Sequence, residues 1–241
     1  MANALVRKLE VFAALGDAEK RALDRLVVAP RAYRAGEDLI QEGEPPEAVF
    51  VVTEGWACRY KMLPDGQRQI LAYILPGDTC DVFNNVLGVM DHSIGALGAC
   101  KVVAMPQGEL MAVLGRHPAI ARAVHWTTLV DSATSREWLL NIGQRSGLAR
   151  AAHLFCELLS RMGSIGLAPD DGFALPLTQT DLADTMGLTP VYVNRMLQRM
   201  RADGLITLER RRLTIHDPAR LAEISAYTPR YLHLPQRDVI Q

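Results

Sequence analysis

Leu177–Arg201 reads LTQTDLADTMGLTPVYVNRMLQRMR, and its reading decides the fold. Thr178 can cap a helix, and Asp181 three residues later completes a capping-box spacing with Asp in place of the usual Glu or Gln. Leu182, Ala183 and Met186 give that helix one apolar face. Gly187 falls where a helix ends in a left-handed residue, a conformation that glycine adopts at little cost. Thr189-Pro190 then restarts the chain, with a capping hydroxyl followed by proline at the first helical position. In the second helix Val193, Met196, Leu197 and Met200 face inward, which leaves Tyr192, Asn194, Arg195, Gln198, Arg199 and Arg201 outside. A short helical hairpin is also an ordinary packing unit. Its meaning depends on its neighbours.

Working outward, the stretch is followed by Gly204–Leu208 and Leu213–His216, two short strands around Glu209-Arg210-Arg211-Arg212. They predict a small hairpin, a wing, with arginines at its tip. Asp217-Pro218 caps a last helix through about Ala226, and residues 229–241 read as a loose tail. Before the stretch, Gly163–Leu175 is a Gly/Pro/Asp-rich connection, and Leu148–Met162 is a helix with Leu148, Ala152, Phe155, Leu158 and Leu159 inward.

From His117-Pro118 to about Ile142 the period is helical with two apolar stripes. Ile120, Val124, Trp138 and Ile142 share one face, with Thr127 and Thr134 beside it. Trp126, Leu129, Val130, Ala133 and Leu140 lie roughly opposite. A helix apolar on two faces must be covered on two sides. Either the helix is buried inside one domain, or one cover is the domain before it and the other an identical helix from a second copy. We assign the second copy to Ile120, Val124, Thr127, Asp131, Thr134 and Trp138, with Asp131 a polar break in the interface.

Towards the N-terminus the rhythm changes. Gly36, Gly43, Pro45-Pro46, Gly55, Pro64, Gly66 and Pro76-Gly77 mark turns about every ten residues, as in an all-β sandwich or barrel. The clearest hairpin is Trp56–Leu75, turning at Pro64-Asp65-Gly66. A roll of about eight strands is expected, ending near Lys101–Pro106. Residues 1–30 read as short helices on Leu5, Leu9, Phe12 and Leu15, with Asp17 as a cap.

Composition bounds the rest. The chain has 241 residues, 49% hydrophobic, with net charge −1, so any nucleic-acid footprint must be local. Cys58, Cys80, Cys100 and Cys156 are scattered without metal-ligand spacing, which points to reduced thiols in a cytosolic protein. No signal peptide or membrane span is apparent, and a cytoplasmic location is expected. Catalysis lacks its residues: no Ser/His/Asp set or phosphate loop occurs. A metal-holding β-roll of the cupin type would need clustered His and Glu, whereas residues 33–105 contain only His92.

A glycine-punctuated β-roll, a long helix and a winged helix-turn-helix, in this order, resemble the cyclic-AMP-receptor/fumarate-nitrate-regulator (Crp/Fnr) family of bacterial transcription regulators. The resemblance covers nearly the whole chain. It is most specific over Thr178–Ile206, with Thr, an acidic residue, Ala, Gly-Leu-Thr, then Arg and Gly-Leu-Ile. In the roll, Gly36-Glu37, Glu42-Gly43, Glu54-Gly55 and Pro76-Gly77-Asp78 stand where the family places its turn glycines. It implies an α+β protein: residues 1–117 a cyclic-nucleotide-binding-like jelly-roll with N-terminal helices, 118–143 a dimerisation helix, 144–228 a winged helix-turn-helix. It also implies a homodimer on a palindrome in double-stranded DNA, with RNA polymerase as a further partner if the protein activates. DNA contacts then fall to Thr178, Gln179, Thr189, Pro190, Val191, Tyr192, Asn194, Arg195, Arg199, Arg210, Arg211 and Arg212. The alternative is a sensing module whose helical end binds protein instead of DNA. The wing arginines argue against it.

Departures from the family pattern are informative. Members that bind cyclic AMP carry a Gly-Glu turn and an Arg-Ser or Arg-Thr pair for the phosphate. Here the region reads Asp78-Thr79-Cys80-Asp81 and Met90-Asp91-His92-Ser93, with no arginine between Arg68 and Arg116. Asp81 and Asp91 would repel a phosphodiester, so cyclic AMP is not expected. Members with an iron–sulfur cluster use N-terminal cysteines, and none precedes Cys58. Haem or another small effector stays open, with a pocket expected between the roll and the long helix at Phe83, Met90, Asp91, His92, Ser93 and Trp126. On the second helix the family's glutamate is Val191 and its Ser-Arg or Gly-Arg pair is Asn194-Arg195, which implies a different DNA half-site.

Overall fold

The computed structural model describes residues 3–234. The chain forms two compact units divided between Thr128 and Leu129. In the first, α1 (Ala4–Leu9) and α2 (Asp17–Leu26) precede β1 (Arg31–Tyr33), β2 (Asp38–Ile40), β3 (Ala48–Glu54), β4 (Ala57–Met62), β5 (Arg68–Ile74), β6 (Thr79–Cys80), β7 (Ser93–Ala96) and β8 (Cys100–Pro106). Then come α3 (Gln107–Arg116) and α4 (Pro118–Gln144), which runs on into the second unit. The cap of α2 is Gly16, and Asp17 is already its first residue.

The expected eight strands form two antiparallel sheets, ordered β1-β8-β3-β6 and β2-β7-β4-β5. The anticipated hairpin pairs Met62 with Arg68 and Ala57 with Ile74. Alternation explains why helices cover one sheet from outside. Val49 and Val51 of β3, with Val103 and Met105 of β8, pack against Leu5, Leu9, Leu23, Leu26, Leu110, Ile120 and Val124. Val52, Val102 and Cys100 point the other way, to Ile74, Ala57, Ile94 and Met90 between the sheets. Each buried Val or Leu contributes about 1.5–3 kcal/mol. The 107–116 helix was not anticipated, for its apolar residues are mostly half-buried and only Leu110 is fully covered.

This packing corrects the expected dimer face. Ile120 and Val124 are buried in the roll's own core, at 0% and 1% exposure. Thr127 returns its hydroxyl to the Val124 carbonyl at 2.7 Å, and Asp131 is half-buried. Thr134 and Trp138 are buried within the single chain. On the opposite stripe Trp126, Leu129 and Leu140 are exposed at 40%, 56% and 47%, while Val130 is half-buried and Ala133 buried. Helical wheels find stripes, but which stripe meets its own domain depends on tertiary placement.

The second unit holds the remainder of α4, then α5 (Gly147–Ser164), β9 (Gly172–Ala174), α6 (Gln179–Met186), α7 (Pro190–Ala202), β10 (Ile206–Glu209), β11 (Arg212–Ile215) and α8 (Pro218–Ser225). The wing gains a third strand that the Gly163–Leu175 connection did not suggest: β9 pairs with β11 through Phe173 and Leu213. Nor is the C-terminal stretch loose throughout. Pro229–Leu232 forms a 3-10 turn with Leu232 buried, and the rest of the expected tail, 235–241, lies outside the described residues.

Candidate nucleic-acid interface

The two helices of the motif are built as their residues dictate. Thr178 Oγ1 accepts from the Asp181 N–H at 3.1 Å, and Asp181 Oδ2 accepts from the Thr178 N–H at 2.8 Å. Both ends of the capping box are therefore made. Gly187 closes α6 at φ 63°, ψ 42°, the left-handed conformation. An arginine that sequence reading passed over supports this corner: Arg150 of α5 donates to the Met186 carbonyl at 2.8 Å, satisfying a helix end. Thr189 Oγ1 accepts from the Tyr192 N–H at 3.2 Å, with Pro190 at the first position of α7.

Val193, Met196, Leu197 and Met200 are buried as expected, and the opposite face of α7 is open. Val191 is 81% exposed. Asn194, Arg195, Gln198 and Arg199 are exposed too. Gln179 Nε2 reaches from the start of α6 to Asn194 Oδ1 at 3.4 Å, so the two predicted readers steady each other. Arg199 Nε lies 3.7 Å from Asp203, one turn on. Tyr192, read as an outside residue, is half-buried, and the Arg195 guanidinium stands over its ring, 4.6 Å from the centroid.

At the wing, Glu209 pairs with Arg212, leaving Arg210 and Arg211 as a two-residue turn. Both have positive φ, 48° and 60°, as a type I′ hairpin turn requires. Both are exposed. Arg212 is exposed as well, and its Nη2 donates to the Pro169 carbonyl at 2.9 Å, which ties the wing to the segment before β9.

The residues expected to line an effector pocket differ in burial and in partners. Phe83 and Asp91 are exposed while Met90, His92 and Ser93 are buried. Met90 belongs to the core between the sheets. Ser93 Oγ accepts from the Glu42 N–H at 2.9 Å. Trp126 stacks on Phe12, with centroids 6.2 Å apart. His92 has its own carboxylates, Asp91 at 2.6 Å and Asp81 at 3.1 Å. Sequence reading also missed Arg59 of β4, whose Nε pairs with Asp81 at 3.1 Å. An arginine directly after the buried Ala57 and Cys58 of a strand is the signal that could have found it.

All four cysteines are free and buried, and burial pushes Cys100 and Cys156 up to about 12, so those thiols stay protonated.

A helix with an open polar face, set on a capped partner helix beside a basic hairpin, defines a winged helix-turn-helix DNA-binding protein. Comparison with known proteins agrees. Residues 149–224 match the Crp-like helix-turn-helix domain and residues 30–117 the cyclic nucleotide-binding domain. The chain is 30% identical over 217 residues to the transcriptional activator protein FnrL of Cereibacter sphaeroides, covering 86% of this chain and 84% of that one. It is 27% identical over 221 residues to the nitrogen fixation regulation protein FixK of Bradyrhizobium diazoefficiens, 92% of each. The structure of FixK2 from Bradyrhizobium japonicum superposes with a TM-score of 0.74 at 27% identity, over 84% of this chain and 100% of that one. The chain belongs to the Crp/Fnr family and is a DNA-binding transcription regulator.

Proposed function

We propose that the protein works in the cytoplasm as a homodimer on palindromic DNA, its two α7 helices entering successive major grooves about 34 Å apart. The observation that carries this reading is the open row on α7, Val191, Asn194 and Arg195, beside the exposed Arg210-Arg211 tip. Arg195 can take guanine O6 and N7 bidentately, Asn194 can pair with adenine, and Val191 can offer a methyl contact, for instance to thymine. Arg199 and the wing tip reach phosphates, which position the protein without reading sequence. Among the described residues no helix is long and apolar enough to cross a membrane.

Activation is the proposed outcome, with RNA polymerase as partner, since FnrL is named as an activator. The matched cyclic nucleotide-binding domain does not carry cyclic AMP into the proposal. Asp81 already engages Arg59, and Asp91 adds a second carboxylate at His92, so the cluster does not suit an incoming phosphodiester. Any effector is then of another class.

Site selection from random duplexes, at two salt concentrations and with and without a cell metabolite extract, tests the reading. An enriched palindrome is expected. Equal affinity for every duplex would defeat it.

A further inference from the structure

Gly147, the first residue of α5, lies against the Tyr192 ring. A Cβ added at Gly147 would stand 2.2 Å from Tyr192 Cε1, far inside van der Waals contact. The backbone of α5 can therefore approach the ring only because position 147 has no side chain. The same ring carries the Arg195 guanidinium, 4.6 Å from its centroid. Tyr192 is thus held between the start of one helix and the arginine expected to read a base. Three residues separate Tyr192 from Arg195 on α7, which places them on one face.

The geometry suits the task. An exposed arginine samples many rotamers, and a base contact must select one of them. Stacking occupies the face of the guanidinium and leaves its N–H edges for acceptors in the groove. Gln179 does less than this for Asn194, because its single bond is long and wholly exposed.

We propose that Tyr192 is a positioning residue for sequence reading: wedged against the bare Cα of Gly147, it presents Arg195 to one base pair of each half-site. Gly147 follows the end of α4 at Gln144 by three residues, so this wedge also ties Arg195 to the α4–α5 junction. The inference rests on the base-reading role given to Arg195 above.

The test uses the full chain and the duplex selected with the wild-type protein, together with its single base-pair variants. Arg195→Ala identifies the base pair at issue, the one whose discrimination it abolishes. At that pair Tyr192→Ala is expected to lower discrimination by about two- to fivefold, the factor expected of an exposed cation–π contact. Discrimination at the other pairs persists. Tyr192→Phe keeps the ring and restores the wild-type pattern. Gly147→Ala, which displaces the ring, should match Tyr192→Ala while still melting cooperatively. The proposal is overturned if Tyr192→Ala weakens all duplexes by one common factor, or if Tyr192→Phe fails as Tyr192→Ala does. Failure of the underlying reading shows itself earlier and differently: wild-type protein would then enrich no duplex, and the inference would fall with it.

Discussion

The indole N–H of Trp138 donates to both carboxylate oxygens of Glu157, at 3.1 and 3.0 Å, where Glu157 is wholly buried. Tyr231 adds its hydroxyl at 2.8 Å and Arg161 its Nη1 at 3.3 Å. One carboxylate thus joins the last turns of α4, the middle of α5 and the C-terminal 3-10 turn. Beside it, Arg145 pairs with Glu137 at 2.7 Å, His153 Nε2 lies 3.2 Å from the same carboxylate, and the His153 ring stacks on Tyr231. Burial drives His153 down to about 4, so it stays neutral at ordinary pH. The network fixes the α4–α5 corner.

Glu157→Ala removes the acceptor that three donors share, and a loss on the order of 3–5 kcal/mol is expected. Tyr231→Phe deletes one of those bonds and should cost about 1–2 kcal/mol. Urea unfolding of both variants checks the ranking. A Tyr231→Phe protein as stable as wild type would make the C-terminal turn a bystander.

Legibility followed the range of the interactions. Thr178, Asp181, Gly187, Thr189 and Pro190 act on neighbours within a few residues, so caps and turn could be read directly and the structure places them as expected. The roll was legible because alternation and turn glycines are also local. What failed depended on distant partners. Ile120 and Val124 look like Leu129 and Leu140 on a wheel, and only packing separates them. Nothing in the sequence marks polar Glu157, Arg161 and His153 as buried, yet they are, because Glu157 meets Trp138 of α4 and Tyr231 of the C-terminal turn, His153 lies against Glu137 of α4, and Arg161 pairs with Glu157. Arg59 and Asp81 are 22 residues apart, and a polar pair across a roll leaves no periodic trace.

At the wing tip, arginine sits in a conformation that Asn and Gly adopt more easily, at roughly 1–2 kcal/mol per residue for an ordinary side chain. Positive φ at both Arg210 and Arg211 means the hairpin is less stable than it could be. Strain kept at an exposed basic tip suits a tip that works on phosphate. Replacing the pair by Arg210→Asn with Arg211→Gly should raise the melting temperature while weakening DNA binding. The slope of log affinity against log salt should flatten by about 1 for each arginine lost. Anisotropy titrations across salt measure it, and an unchanged slope would take the tip off the DNA.

The cluster in the roll carries a pH signature. Burial works to raise the Asp81 carboxyl, but the Arg59 charge, then the bond and charge of His92, outweigh it and hold Asp81 at about 2. That stabilisation is present above the ordinary 3.8 and is lost as pH falls from there towards 2. His92 runs the opposite way. Burial works to lower it, but the bond and charge of Asp81, then the bond of Asp91, raise it above 6.5. Its contribution is complete below 6.5 and is lost as pH rises through the raised value. His92→Gln should therefore melt below wild type near pH 6, with the gap narrowing as pH increases. A gap constant across that range would mean that His92 is neutral throughout.

In the proposed homodimer, the exposed apolar residues of α4 set how two copies would meet. Trp126, Leu129 and Leu140 leave large apolar surfaces exposed on one helix. A second helix of the same sequence can cover those residues at coiled-coil-like spacing. The face that carries Ile120 and Val124 is already filled by the chain's own core. Leu129→Glu and Leu140→Glu place charge where an apolar partner is required. They should convert dimer to monomer in light scattering and reduce affinity for a full palindrome far more than for a half-site. Ile120→Ala and Val124→Ala should instead lower the melting temperature, by a loss of about 1–4 kcal/mol each, while the dimer persists. The opposite outcome, with dimers lost in the Ile120 and Val124 variants and kept in the Leu129 and Leu140 ones, would return the interface to the first stripe.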